Sequence, residues 1–218
     1  MNVKQQVAVL GGDLGKTSKM PSFSFGLDTG ACKTGSKLAE VCGSVCEGCY
    51  ARRLENFRPS VKQGHMNRTA KVQDAMKTKE GRAEWVAAMV ARLSKKLDMT
   101  EPYFRWHDSG DVQGLQHLRM IADVARALPD VNFWLPTKEK QTVIKFTEDE
   151  GVPSNLMIRV SSGMVDGKPL ARFPFTSTVH KADVPAGHVC PAPKQDGECG
   201  TCRACWSHDV TNISYHKH

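Results

Sequence analysis

A chain of 218 residues, 40% of them hydrophobic, is long enough for one sizeable core and short for two ordinary domains. No run of about 18 apolar residues exists to cross a bilayer, and the N-terminus has neither the basic start nor the apolar stretch of a secretory signal; a cytoplasmic protein with no membrane partner is expected. The formal charge of +7 would suit nucleic acid, but the lysines and arginines are scattered among acids, and Arg52-Arg53 and Lys95-Lys96 read as solvated surface. Nucleic acid is therefore an allowed but disfavoured partner.

Residues 1–30 mix Gly, Lys and Ser with short apolar runs, Val7-Ala8-Val9-Leu10 and Phe23-Ser24-Phe25, which predicts short strands and turns and no helix. Four cysteines follow within residues 32–49. Val61 to Met76 lacks Pro and carries helix formers, and Trp85, Met89, Leu93 and Leu97 then recur at i, i+4, i+8 and i+12, so two helices are expected after the cysteines. Tyr103 to Trp106 is a short aromatic strand, and Val112, Leu115, Leu118, Ile121, Ala125 and Leu128 mark one face of a helix. The unit repeats, with a strand at Val131 to Leu135, a polar helix at Thr137 to Glu148 and a strand at Leu156 to Val160. Alternating βα units imply an α/β fold on a parallel sheet. Such a sheet puts segments 107–111, 136–139 and 161–162 at its carboxyl edge, where α/β proteins build their sites. From Asp183 onward Pro, Gly and Cys dominate. Residues 183–218 are thus expected to be a cysteine-rich, metal-bound lobe packed on an α/β core of residues 1–182 in a single compact unit.

In a reducing compartment eight cysteines point to metal ligation rather than disulfides. Cys42-Gly-Ser-Val-Cys46-Glu-Gly-Cys49-Tyr50 has the spacing C-x3-C-x2-C, in a loop too polar to be core. Its unequal gaps suit a [4Fe–4S] cluster better than the paired knuckles of a structural zinc site. At these residues the chain resembles the radical S-adenosylmethionine (SAM) enzymes, although those usually carry an aromatic residue where Gly48 stands. The resemblance implies a partial (β/α) barrel in place of an open sheet. It also implies that Cys42, Cys46 and Cys49 ligate three irons and that SAM binds the fourth, where an electron donor would drive its cleavage to a 5′-deoxyadenosyl radical. Cys32 is the competing fourth ligand. If it fills that iron, the site is closed and the protein is an electron-transfer or cluster-carrying one.

A resemblance to the phage gene product 88 family covers more of the chain. It is carried by Cys-Tyr-Ala at 49–51, Phe-Arg-Trp-His-Asp-Ser-Gly-Asp at 104–111, Phe-Trp-Leu-Pro-Thr-Lys at 133–138 and Cys-Pro-Ala at 190–192. It implies a viral protein of the host cytoplasm with an iron–sulfur site, without implying a reaction.

Arg105 to Asp111 packs five polar side chains around one glycine at a strand end. By the radical SAM likeness, Ser109, Gly110 and Asp111 would hold the methionine amine of SAM. Thr137, Lys138, Arg159 and Ser161, with Ser162, are further candidates for ribose, carboxylate or adenine contacts. Each also has a structural reading: Asp108 or Ser109 as a helix cap, His107 as a partner of the loop backbone, Thr137 as an N-cap, and Arg159 as an ion-pair partner of Asp108 or Asp111. His65, His180, His188, His216 and His218 lack ligand spacing and read mostly as surface. Cys190, Cys199, Cys202 and Cys205, spaced C-x8-C-x2-C-x2-C, resemble bacterial ferredoxin ligation and suggest a second Fe–S cluster, with zinc as the competitor. No catalytic residue stands out. Three functions remain: a small radical-SAM-like enzyme acting on an unidentified small or macromolecular substrate, a closed cluster carrier, and a zinc-bound nucleic-acid or host-protein binder.

Overall fold

The computed structural model describes residues 1–17 and 20–217. Helix α1, Val3–Leu10, opens the chain where strands were expected. Its cause is a capping box: Asn2 Oδ1 accepts from Gln5 N at 2.9 Å, Gln5 Oε1 accepts from Asn2 N at 2.8 Å, and Gly11 stops the helix in the left-handed region. The apolar run at 7–10 is therefore the end of a helix. Strands β1, Gly15–Lys16, and β2, Phe23–Phe25, form an antiparallel pair.

Between β2 and its parallel neighbour β3, Tyr103–Trp106, the chain makes α2, Lys33–Ala39, α3, Tyr50–Phe57, α4, Pro59–Ala75, and α5, Lys79–Lys96. The last two are the expected pair; α2 and α3 are additional. Thr78 caps α5 by accepting from Gly81 N at 2.9 Å. Then come α6, Leu115–Ala127, β4, Asn132–Thr137, α7, Lys140–Asp149, and β5, Leu156–Val165. Thr137 ends β4 rather than capping α7, whose N-cap is Glu139. Beyond them lie β6, Thr176–His180, β7, His188–Val189, and β8, Asn212–His216.

Among the described residues the sheet has eight strands in the order β1-β2-β3-β4-β5-β6-β8-β7, parallel throughout except at β1. The tail is thus not a lobe laid on a finished core. It supplies two strands of the sheet itself, with β8 paired to β6 on one side and β7 on the other.

The strands alternate between two different environments. Phe25, Phe104, Trp106, Phe133, Leu135, Leu156 and Val160 point at the helices and join Trp85, Met89, Leu93, Leu118 and Ile121 in the main core. Trp106 and Trp85 stack there with centroids 6.2 Å apart. The other face carries Arg105, Trp134, Met157, Arg159, Ser161, Ser177 and Tyr215, and its small apolar cluster is Trp134, Met157 and Trp206. No helix is long and apolar enough to cross a membrane among the described residues.

Candidate metal centre

The carboxyl ends of β3, β4 and β5 do lie side by side, but most of the polar residues there are engaged with one another. Asp111 is buried, and its carboxylate accepts from Thr137 Oγ1 at 2.6 Å, Val112 N at 2.7 Å and Lys138 N at 2.9 Å. Burial pushes its pKa up, against those hydrogen bonds. Ser109 O accepts from Leu27 N at 2.8 Å. Gly110, at φ 76°, lies so near Leu27 that a Cβ would come within 2.6 Å of that residue's own Cβ; only glycine fits. Ser161 Oγ pairs with Ser177 Oγ at 2.9 Å on the inner face.

Arg159 is fully buried, and the expected pairing with Asp108 or Asp111 is replaced by four carbonyls of the tail. Its guanidinium donates to Ala204, Cys205, Ser207 and Val210 at 2.8–2.9 Å. It anchors the tail under the sheet and is not at the polar edge.

The first cysteines are gathered by contacts the sequence did not reveal. Thr34 N donates to Glu139 Oε1 at 2.8 Å and Lys33 Nζ to Gln113 O at 2.9 Å, which pins the loop carrying Cys32 against the ends of β3 and β4. The loop 42–49 is tied to the end of β5 by Val45 N to Gly163 O at 3.0 Å and Val165 N to Gly43 O at 2.9 Å. Cys32 and Cys46 then meet over Gly35, where a Cβ would lie 3.7 and 3.6 Å from their sulfurs. Burial pushes the Cys32 thiol up to about 12, with Asp111, Cys49 and Cys46 adding to it; Cys46 is raised too, chiefly by burial, with Lys138 opposing. Cys42, expected beside Cys46 and Cys49, is exposed on the turn before them.

The four tail thiols also share one region. Cys190 follows β7, Cys205 sits on the single turn Ala204–Trp206, and burial is the main cause raising Cys190, Cys199 and Cys205. Cys190 is raised further by Cys202, Cys199 by Cys190 and Cys202, and Cys205, pushed up to about 12, by Cys190. Cys202 Sγ is 3.6 Å from His188 Nε2, and Cys205 Sγ is 3.2 Å from Tyr215 Oη. All eight cysteines are free, yet among the described residues no three His, Cys, Asp or Glu side chains converge tightly enough to hold a metal ion as they stand.

Several buried polar groups have no clear sequence signal. Glu55 of α3 accepts from Thr29 and from Ser109 Oγ at 3.1 Å, and its Oε1 lies 2.6 Å from His65 Nδ1. His65, read as surface, is buried with it. His107 and His117 are buried at a centroid distance of 5.3 Å. Both ring nitrogens of His107 and Nε2 of His117 lack a protein partner among the described residues, and His107 holds φ 54°. His180 is half-buried on Ser214 Oγ at 2.8 Å and His216 is exposed; His218 lies outside the described residues. Beside the first cysteine group lies a cavity of about 390 Å³, walled by Cys46, Cys49, Trp134, Lys138, Ser161 and Tyr215 among others.

The family model described as gene product 88 matches residues 2–174, a span that ends just before β6. No curated protein and no solved structure gives a significant match.

Proposed function

The chain belongs to the gene product 88 family of phage proteins, and we propose that it is an iron–sulfur protein whose [4Fe–4S] cluster is held by Cys32, Cys46 and Cys49. What supports this is that Cys32 and Cys46, from two separate loops, approach each other over Gly35, that Cys49 is near enough to bear on Cys32 electrostatically, and that Cys46 and Cys49 line the cavity. The half-buried thiols of Cys32 and Cys46, both raised chiefly by burial, stay protonated at neutral pH unless a cation is present to favour the thiolate. The residues fit the group in one further way: Gly35 leaves the space between Cys32 and Cys46 clear of a side chain. With Cys42 outside the set, one iron would be left for an exogenous ligand. A cavity of about 390 Å³ lies within the size range of small-cofactor sites, and this supports the radical-SAM-like reading, with SAM as that ligand. Lys138 and Ser161, both on the cavity wall, would then face the cofactor. The tail thiols would hold a second metal. His188 Nε2 beside Cys202 favours zinc there, because zinc accepts mixed nitrogen and sulfur ligands.

Anaerobic reconstitution tests the proposal. The protein should become brown and carry iron with acid-labile sulfide; Cys32→Ala and Cys46→Ala should lose the first cluster, whereas Cys42→Ala should keep it. Addition of SAM should shift the electron paramagnetic resonance signal of the reduced cluster. Loss of the cluster in Cys42→Ala with no SAM-dependent shift would mean that four thiolates close the site, and the electron-carrier reading would replace the enzyme. Stoichiometric zinc without sulfide would overturn both.

A further inference from the structure

The cavity contains a cation that no anion pairs with among the described residues. Arg105 projects from the centre of β3 onto the inner face and lines the cavity, with its guanidinium 4.6 Å over the ring of Trp134. Arginines in such positions are normally paired or fully hydrogen-bonded. Its only hydrogen-bond partner among the described residues is the poor acceptor Met20 Sδ, 3.3 Å from Nη1, and its Nε is buried with no partner. No carboxylate lies within ion-pair distance of it among the described residues, although Asp108 is close enough to bear on it electrostatically. The Trp134 indole N–H beneath it also lacks an acceptor among the described residues. Arg159, on the same face, makes the contrast: it satisfies itself on four carbonyls.

The rest of the wall has the same sign. Among the described residues, Arg53, Lys138 and Lys217 line the cavity with Arg105, against one acid, Glu47, whose Oε2 already accepts from Gly43 N at 2.8 Å. The Tyr50, Ser161 and Ser177 hydroxyls add further polar atoms. We propose that this cavity binds a small anionic molecule, a carboxylate or a phosphate ester, whose oxygens accept from the Arg105 guanidinium over Trp134. The planar fork matches two oxygens of such a group. The volume of the cavity limits the ligand to a small molecule and excludes a folded or helical polyanion. The site needs no cluster at the cysteines; because the proposed function places SAM in the same cavity, the anion and SAM would compete for that space.

The test is calorimetric titration of the full-length chain with pyrophosphate, with succinate and with a single-stranded oligonucleotide, at low and at raised salt. Pyrophosphate or succinate should bind, and whichever is the tighter identifies the source of the anionic group. Arg105→Met should weaken that binding by about tenfold to a hundredfold, the range for a charge-assisted hydrogen bond to a buried group. Should Arg105→Met fail to fold by circular dichroism, two readouts take its place. Arg105→Lys, which keeps the charge but not the fork, should weaken binding severalfold. The Trp134 indole N–H resonance, assigned through Trp134→Phe, should move when the anion is added to the parent protein. Unaltered affinity in the folded Arg105 variant, an unmoved Trp134 resonance, or binding of the oligonucleotide in the absence of binding by either small anion would each overturn the proposal.

Discussion

The two faces of the sheet are built on different physics. The face toward the helices is a continuous apolar core in which Phe25, Trp85, Phe104, Trp106 and Phe133 touch one another edge to face or stacked, and its stability comes from area removed from water. The inner face has a small apolar cluster, two arginines and a tail short of apolar residues, so it is held by hydrogen bonds to single groups. Trp206 shows the difference. It packs on Trp134 at 5.3 Å, and its indole N–H also donates to Phe104 O at 2.9 Å, the backbone of a strand whose side chain points into the other core. Buried polar atoms without a protein partner among the described residues occur on both faces, at the Trp85 and Trp106 indoles, His107 and His117 on the helix side and at Arg105 and Trp134 on the inner face; the last two are the ones whose residues line the cavity.

The comparison is broken most severely from the helix side. Trp106→Ala, which empties a fully buried site between the sheet and α5, should cost about 3–5 kcal/mol and lower the urea midpoint of the whole molecule in one transition. Arg159→Met should cost about 2–5 kcal/mol, because four tail carbonyls lose a charged donor at once, but the loss should be local. Limited proteolysis should cut residues 183–217 while β2 to β5 stay protected; uniform digestion would mean that the two faces unfold together.

The histidine pair sharpens the comparison through pH. Burial, with His117 and Arg105 adding to it, holds His107 well below the ordinary value of 6.5, and burial takes His117 to about 3. Both folded-state values are depressed, so below about 6.5 the unfolded chain binds more protons than the native one. The stability from keeping the pair neutral is complete above that pH and is lost as pH falls toward 3. With both rings resisting protonation the slope should approach about 2.7 kcal/mol per pH unit, read from urea melts between pH 6 and 4. In His117→Phe the slope should fall to about half. The smallest effect is expected farthest from the inner face: Thr78→Ala, which removes one cap of α5, should cost about 1 kcal/mol in the same melts and leave the tail untouched.

The helix-backed half was largely legible in the sequence. Tyr103 to Trp106 has the bounds its sequence suggests, because alternation with aromatic residues is a period-2 signal, while α4 follows from a Pro-free run of helix formers and α5 from helical spacing. Helix α1 was missed because the apolar run at 7–10 outweighed the Asn2 and Gln5 capping pair and the stop at Gly11. Strands β6 and β8 were missed for a different reason. Their shared face is hydroxyl and amide, with Thr176 Oγ1 on Asn212 Oδ1 at 2.7 Å and Asn212 Nδ2 on Thr178 Oγ1 at 3.0 Å, so no apolar alternation marked them. At the candidate site, spacing pointed to Cys42, Cys46 and Cys49; in the structure Cys42 is exposed, and Cys32 approaches Cys46 through the hold of Gln113 and Glu139, residues more than 75 positions away, on Lys33 and Thr34. No local pattern encodes such a meeting. Arg105 stood inside a polar run that was noticed, but its lack of a partner is a property of three-dimensional neighbours.

The position of β8 between β6 and β7 has a consequence for how the chain is made. Strand β7 leaves the ribosome before β8 but has no neighbour in the sheet until β8 arrives, and β6 likewise presents an unpaired edge until residues 212–216 are available. Until residues 212–216 are available, the growing chain therefore carries open strand edges at β6 and β7. Strand β8 closes both at once, entering as a single five-residue strand between two neighbours rather than extending one edge.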